Sequence, residues 1–346
     1  MRNRVTSQNP YAWSLWLAGA MLPPILTRNP LYLFIELLAT MRILSMGSEG
    51  SAQWKPLVKM AIWLVALSVP FNALVVHFGK IVLFTLPANW PVVGGKITLE
   101  SILFGLSTGL ALLTLFQAFA AFNVMVSPSS LLRLVPPFLF EAGLMIAIGL
   151  SFFPQMIKSI SQVREVQQLR GHRFRKMGDV IPLVMPVLAI GIEKSLNLAE
   201  SLASRGFGRH RKEVSGYQRL ASSVITVFGL TVTTVGVAVG AFLPGRKQLA
   251  LILVALGGVT MISLFLWQNS LVRRTGYTPV RWGWEEVITA GVGAITAFVF
   301  VWVRMTSPQT LVYYPYPPFS PWPPFELIPA VAVFVLALPA MLEGMP

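Results

Sequence analysis

"SLASRGFGRHRK", Ser201–Lys212, interrupts a chain of 346 residues that is 55% hydrophobic. Upstream, "VQQLRGHRFRK", Val166–Lys176, interrupts it in the same way. In each stretch an Arg-Gly pair closes a helix-like run and more cations follow. The side of the membrane on which these two stretches lie decides the fold.

The surrounding composition makes this a membrane question. Only 12% of the residues are charged, about half of what a soluble domain carries. Apolar runs near or above the ~18 residues needed for a spanning helix recur along the chain. Short polar and Gly/Pro pieces alternate with them, without the two-residue period of a transmembrane barrel. The expected fold is an all-α polytopic membrane protein. The net charge of +14 then marks cytoplasmic loops, not a nucleic-acid surface. There is no cysteine, so disulfides and thiolate metal sites are excluded. His77, His172 and His210 are scattered and make no ligand cluster, so neither a metal nor a cofactor is expected. The basic "MRNRVTSQNPYAW" lacks a small-residue cleavage signature and reads as the lead into a retained first span.

Eight spans are expected: about 12–26, 31–46, 57–78, 99–126, 221–243, 249–272, 286–303 and 327–342. Pro23 and Pro24 should bend the first, and "TRNP", Thr27–Pro30, is a tight turn. "LPANWPVVGGK" reads as an interfacial loop. "SPSS", Ser127–Ser130, ends the fourth span and offers a helix N-cap. The chain divides into N-terminal spans (1–126), a distinct segment (127–219), one span (220–243) and a C-terminal extension with about three more spans (244–346).

The segment 127–219 holds two further apolar stretches, about 135–153 and 180–198, each running on into a cationic tail. From Lys158 to Arg219 there are 12 Lys/Arg against five Asp/Glu. If both stretches crossed the bilayer, the two tails would fall on opposite faces, against the positive-inside bias. If neither crosses, both tails lie inside and the N-terminus does too. Two long, partly apolar helices are therefore expected on the cytoplasmic side. Their greasy surface must be covered by each other, by this chain's spans or by another membrane protein.

The tails align on Arg-Gly. Glu165 precedes Arg170 by five residues and Glu200 precedes Arg205 by five; Gly171 and Gly206 follow immediately. Arg173, Arg175 and Lys176 trail one pair, and Arg209, Arg211 and Lys212 the other. Glycine just past a helix takes the left-handed conformation without steric cost, and a cation in the last turn meets the negative end of the helix dipole. Each motif is thus a helix tip presenting one arginine, able to form a bidentate pair with a carboxylate in a partner's groove. Two such tips fit two equivalent grooves, as a dimeric partner supplies. A single tip would be ordinary capping; two in one segment point to a coupling role. Glu165 and Glu200 either brace their tips or simply solvate the helix.

"LAESLASRGFG", Leu198–Gly208, and "QVREVQQLRGHRF", Gln162–Phe174, resemble the two Ala-Arg-Gly-type signatures of the transmembrane T component of energy-coupling-factor transporters, a branch of the ABC superfamily. The resemblance extends through "SPSSLLRLVPPFLFEAGLMIAIGLSFFPQMIKSI", Ser127–Ile160, and "TRNPLYL". It implies membrane helices plus long cytoplasmic coupling helices that cross. Their arginine ends dock on two ATP-binding cassette subunits, and their apolar surfaces support a separate substrate-binding membrane subunit. By resemblance Arg170 and Arg205 contact the ATPases, with Leu169, Gly171, Ser204, Gly206 and Phe207 around them. Leu169 departs from the small residue the family prefers before arginine. The 100 or so residues after Leu243 lie outside the signatures. The resemblance implies a plasma-membrane subunit that is not itself an enzyme, serving uptake of a vitamin or metal ion. In agreement, no G-x-x-x-x-G-K-[ST] occurs.

Other readings remain open. A self-contained secondary transporter or channel predicts inverted repeats, discontinuous helices and midplane polar groups. The candidate intramembrane ionisable residues, Glu36, Arg42 and His77, form no evident relay. A lipid-modifying enzyme would need a nucleophile with its base at one interface, and no such cluster is seen.

Overall fold

The structure, a computed structural model, describes residues 9–46, 51–86, 95–136, 139–172, 180–207, 216–271, 282–316 and 322–342. In chain order these form α1 (Pro10–Leu26), α2 (Pro30–Met46), α3 (Ser51–Val75), strands β1 (Val82–Thr85) and β2 (Lys96–Thr98), α4 (Leu99–Met125), α5 (Pro128–Leu131), α6 (Phe140–Leu169), α7 (Ile181–Ser204), α8 (Gly216–Phe242), α9 (Lys247–Leu271), α10 (Trp284–Thr306), α11 (Pro308–Leu311), α12 (Leu327–Val335) and α13 (Leu338–Leu342). The trailing cations Arg173, Arg175, Lys176, Arg209, Arg211 and Lys212, with His210, lie outside the described residues.

The chain is an all-α polytopic membrane protein. Six helices among the described residues, α4 and α6 to α10, are long and apolar enough to cross a membrane. The count differs in kind from the sequence expectation. By length and composition α6 and α7 qualify, although charge placed them inside. The 17 residues each of α1 and α2 rise about 25 Å, short of a ~30 Å hydrocarbon core. The last apolar block is two short helices, not one continuous helix, because Pro339 has no N–H to continue the ladder and the chain turns at Leu336–Ala337. A β-hairpin also appears where only loop was expected, with Val82 opposite Thr98 and Thr85 opposite Lys96.

The contacts divide the chain into two units, residues 1–134 with 278–346, and residues 135–277. In the first, α1 is capped by Asn9, whose side chain accepts from the Tyr11 amide at 3.0 Å. Asn29 does the same for α2 through the Leu31 amide. α1 lies against α10 with no side chain between them at Gly19 and Gly293; a Cβ on Gly19 would sit 2.2 Å from the Gly293 carbonyl oxygen. The break after α12 is satisfied from these two helices. The Trp16 indole donates to the Leu336 carbonyl at 3.1 Å, and the Thr296 hydroxyl to the Ala332 carbonyl at 2.9 Å. Such outside partners are what lets a helix break inside a membrane protein. α2 packs between α4 and the C-terminal pair; the Gln117 amide donates to the Leu37 carbonyl at 3.2 Å. Glu36 is fully buried there, and neither carboxylate oxygen has a hydrogen-bond partner among the described residues. α3 runs against α4 through Gly105 and Gly109, and Ser68 donates to the Gly105 carbonyl at 3.0 Å.

So the segment expected to be a C-terminal extension is shared out. Its α10 to α13 complete the core of the N-terminal helices, which holds Trp16, Tyr32, Phe122, Phe300, Val333 and Leu336. Its α9 instead pairs with α8 in the second unit, with Gly229, Gly236 and Gly257 at their contact. The Ser127 cap is present, its hydroxyl accepting from the Ser130 amide, but it starts only the single turn of α5.

Candidate functional site

The second unit carries both arginine motifs. α6 and α7 cross near their middles. The Lys194 ammonium donates to the Ser159 hydroxyl at 3.1 Å, and Ser159 in turn donates to the Gln155 carbonyl at 3.1 Å. A Cβ on Gly191 would lie 3.5 Å from the Met156 methyl. Met156, Ser159 and Val163 recur at helical spacing on one face of α6, and Ser159 and Val163 are buried.

Beyond the crossing each helix runs on with mostly exposed side chains and ends in the same way. At the end of α6 the Gly171 amide donates to the Gln168 carbonyl at 2.9 Å, and the His172 amide to the Gln167 carbonyl at 3.0 Å. At the end of α7 the Gly206 amide donates to Ala203 at 3.0 Å and the Phe207 amide to Leu202 at 3.0 Å. These are the paired bonds of a Schellman cap. Gly171 and Gly206 have φ of +88° and +80°, and nothing lies within 4 Å of a Cβ built on either. Backbone conformation, not space, therefore demands glycine at both positions.

The cap places Arg170 and Arg205 at equivalent positions, with φ and ψ of −77° and 5° for one and −81° and 3° for the other. Both are exposed, as are Glu165, Glu200 and Ser204. Leu169 is 84% exposed and Phe207 46%. Each tip thus offers one guanidinium fork beside an apolar or small residue, at a helix end whose dipole already favours a cation. The caps differ in one respect. A Schellman cap gains from an apolar contact between its last residue and the residue whose carbonyl accepts that residue's amide. Phe207 and Leu202 supply that chemistry in the second tip; His172 and Gln167 do not in the first.

The structure brings each sequence-proposed residue to its own tip and joins the two tips through the α6–α7 crossing. The crossing residues were not found from sequence. A signal for them existed: Ser159 to Lys194 and Arg170 to Arg205 are both 35 residues apart.

No family model matches the chain. Two curated proteins do. One is the energy-coupling factor transporter transmembrane protein EcfT of Leuconostoc gelidum subsp. gasicomitatum, 29% identical over 90 residues, or 23% of this chain and 34% of that protein. The other is EcfT of Lactococcus lactis subsp. cremoris, 30% identical over 73 residues, or 19% of this chain and 27% of that protein. This chain is similar to the T components of energy-coupling-factor transporters. The matched stretch spans about a third or less of those relatives' own length. The family resemblance is thus met again in these two partial matches, which cover 23% and 19% of this chain.

Proposed function

We propose that this protein is the T component of an energy-coupling-factor importer in the plasma membrane. In this reading α6 and α7 are its coupling helices, residues 127–219 form the coupling domain, and that domain and the N-terminus lie in the cytoplasm. Arg170 and Arg205 each enter a groove on one of two ATP-binding cassette subunits and pair there with a carboxylate. Leu169, Gly171, Ser204, Gly206 and Phe207 line the contacts, and Glu165 and Glu200 steady the helices behind them. ATP binding draws the two ATPases together, the tips follow, and the crossed helices pass the motion to a substrate-binding membrane subunit. The cargo belongs to the vitamins, their precursors or transition-metal ions that such importers carry. The protein itself performs no catalysis.

The observation that supports this best is the duplicated cap. Two helices from one unit end in superimposable hydrogen-bond patterns, each exposing an arginine at the same position. Ordinary capping explains one such end; it gives no reason for two equal ends on a crossed pair.

The test is co-purification of the full chain with its ATPase partners in mild detergent. Truncating one partner of a buried charged pair costs about 2–5 kcal/mol. Arg170→Ala and Arg205→Ala should each weaken ATPase retention, and the double variant should lose both retention and uptake. Normal retention and uptake by the double variant contradict the assignment.

A further inference from the structure

The 35-residue offset that relates the tips also relates the residues that meet at the crossing. Arg170 and Arg205, Glu165 and Glu200, and Gly171 and Gly206 are offset pairs. So are Ser159 and Lys194, which are hydrogen bonded, and Met156 and Gly191, which abut. The two helices therefore meet at equivalent positions of the repeat. From the Ser159–Lys194 contact each arm is equally long: 170 − 159 and 205 − 194 are both 11 residues, or about 16 Å of helix.

We propose that Lys194 and Ser159 are positioning residues that set the separation of the two arginine tips. The inference rests on the coupling reading for its use, but its geometry is independent of it. With arms of about 16 Å, a 10° change in crossing angle moves the tips by up to about 3 Å relative to each other. A partner with two fixed grooves would then be engaged at one tip only.

The chemistry at this contact fits a latch. Identical lysines at the two positions would repel, and identical serines would be too short to bond across the helices. The repeat departs from identity here, with an ammonium from α7 reaching a buried hydroxyl on α6. Ser159 gives its own hydrogen to Gln155, so its lone pairs face the ammonium. One turn away the Met156 methyl packs on Gly191, 3.5 Å from where a Cβ would stand, an ordinary van der Waals distance. A charge-assisted hydrogen bond beside this packed contact holds the crossing.

The chain has no cysteine, so two spin labels can be placed without background. Labels at Leu169→Cys and Ser204→Cys, another offset pair, report tip separation by dipolar spectroscopy on the full chain in nanodiscs. A second pair, Val237→Cys with Leu251→Cys on α8 and α9, reports the rest of the unit. Lys194→Ala and Ser159→Ala should broaden or shift the tip distribution by 3 Å or so, the scale set by the arm length, and leave the second pair unchanged. Lys194→Arg, which keeps a donor, should restore the narrow distribution, and Gly191→Leu should shift its mean. An unchanged tip distribution in Lys194→Ala overturns the proposal. So does a change in both label pairs, which would make Lys194 a residue of the general fold. Failure of the ATPases to co-purify with the unaltered chain would remove the coupling reading and leave the latch standing.

Discussion

Gly19 and Gly293 meet backbone to backbone: a Cβ on either would lie within 2.4 Å of a carbonyl oxygen of the other helix. Through this contact the C-terminal helix α10 seats on α1. The side chains of Trp16 and Thr296 can then reach the broken end of the chain. The C-terminal segment is therefore part of the N-terminal fold, and its removal should expose that unit's core.

Gly19→Leu or Gly293→Leu forces the helices apart. Overpacking of this kind costs about 1–3 kcal/mol, more where backbone is the obstacle. Thermal melting in detergent should show a lower midpoint for each. Gly291→Ala is the control, since nothing lies within 4 Å of a Cβ there.

Trp16→Phe keeps the ring and removes the indole N–H that serves the Leu336 carbonyl. A buried acceptor left without its donor costs about 1–3 kcal/mol. The same melting assay should show the loss. Trypsin is of little use at a break that carries no cation, so hydrogen exchange at Ala337 and Leu338 is the local readout, and it should speed up.

At the tips, Gly206→Ala and Gly171→Ala place a Cβ in the left-handed region, which costs roughly 1–2 kcal/mol. Exchange of the Phe207 and His172 amides should quicken accordingly. Asparagine, which tolerates this region better, should restore most of the protection. The first tip, lacking an apolar partner for its cap, should be the more exchange-labile of the two in the unaltered chain.

Tyr316, in the segment between α11 and α12, titrates high. Burial is the main cause, and the negative charges of Tyr314 and Glu100 add to it, so its hydroxyl is pushed up to about 12. The folded form thus holds a proton that the unfolded chain releases near pH 10.0. Its contribution is complete below pH 10 and is lost as pH rises from there towards 12. Ultraviolet titration should show one late tyrosinate fewer in Tyr316→Phe, and the alkaline fall in melting temperature should be shallower.

What the sequence disclosed follows from how locally each feature is encoded. A glycine directly after an arginine names a helix end by itself, so both tips were legible to the residue. The membrane class was legible from apolar run length. The Gly19–Gly293 contact was not, because a glycine in an apolar run looks the same whether it faces lipid or another backbone. The break at Leu336 had a visible cause in Pro339, but the donor that makes it tolerable comes from Trp16, at the other end of the chain. β1 was missed because Val82-Leu83-Phe84-Thr85 is too short to show a two-residue period and its partner Lys96–Thr98 lies beyond the Pro/Gly loop. Hydropathy cannot tell a spanning helix from a greasy cytoplasmic one, and for α6 and α7 the proposed separation of the two rests on the charge of the tails alone.

That separation is the centre of the account, and labelling tests it directly. Single cysteines at Leu169 and at Ser204, in an otherwise cysteine-free chain, are exposed to a membrane-impermeant maleimide in right-side-out and inside-out vesicles. Both positions should react only when the cytoplasmic face is outward. Reaction of the two from opposite faces would mean that α7, the helix between them, crosses the bilayer, and the paired arginine tips could not serve one partner.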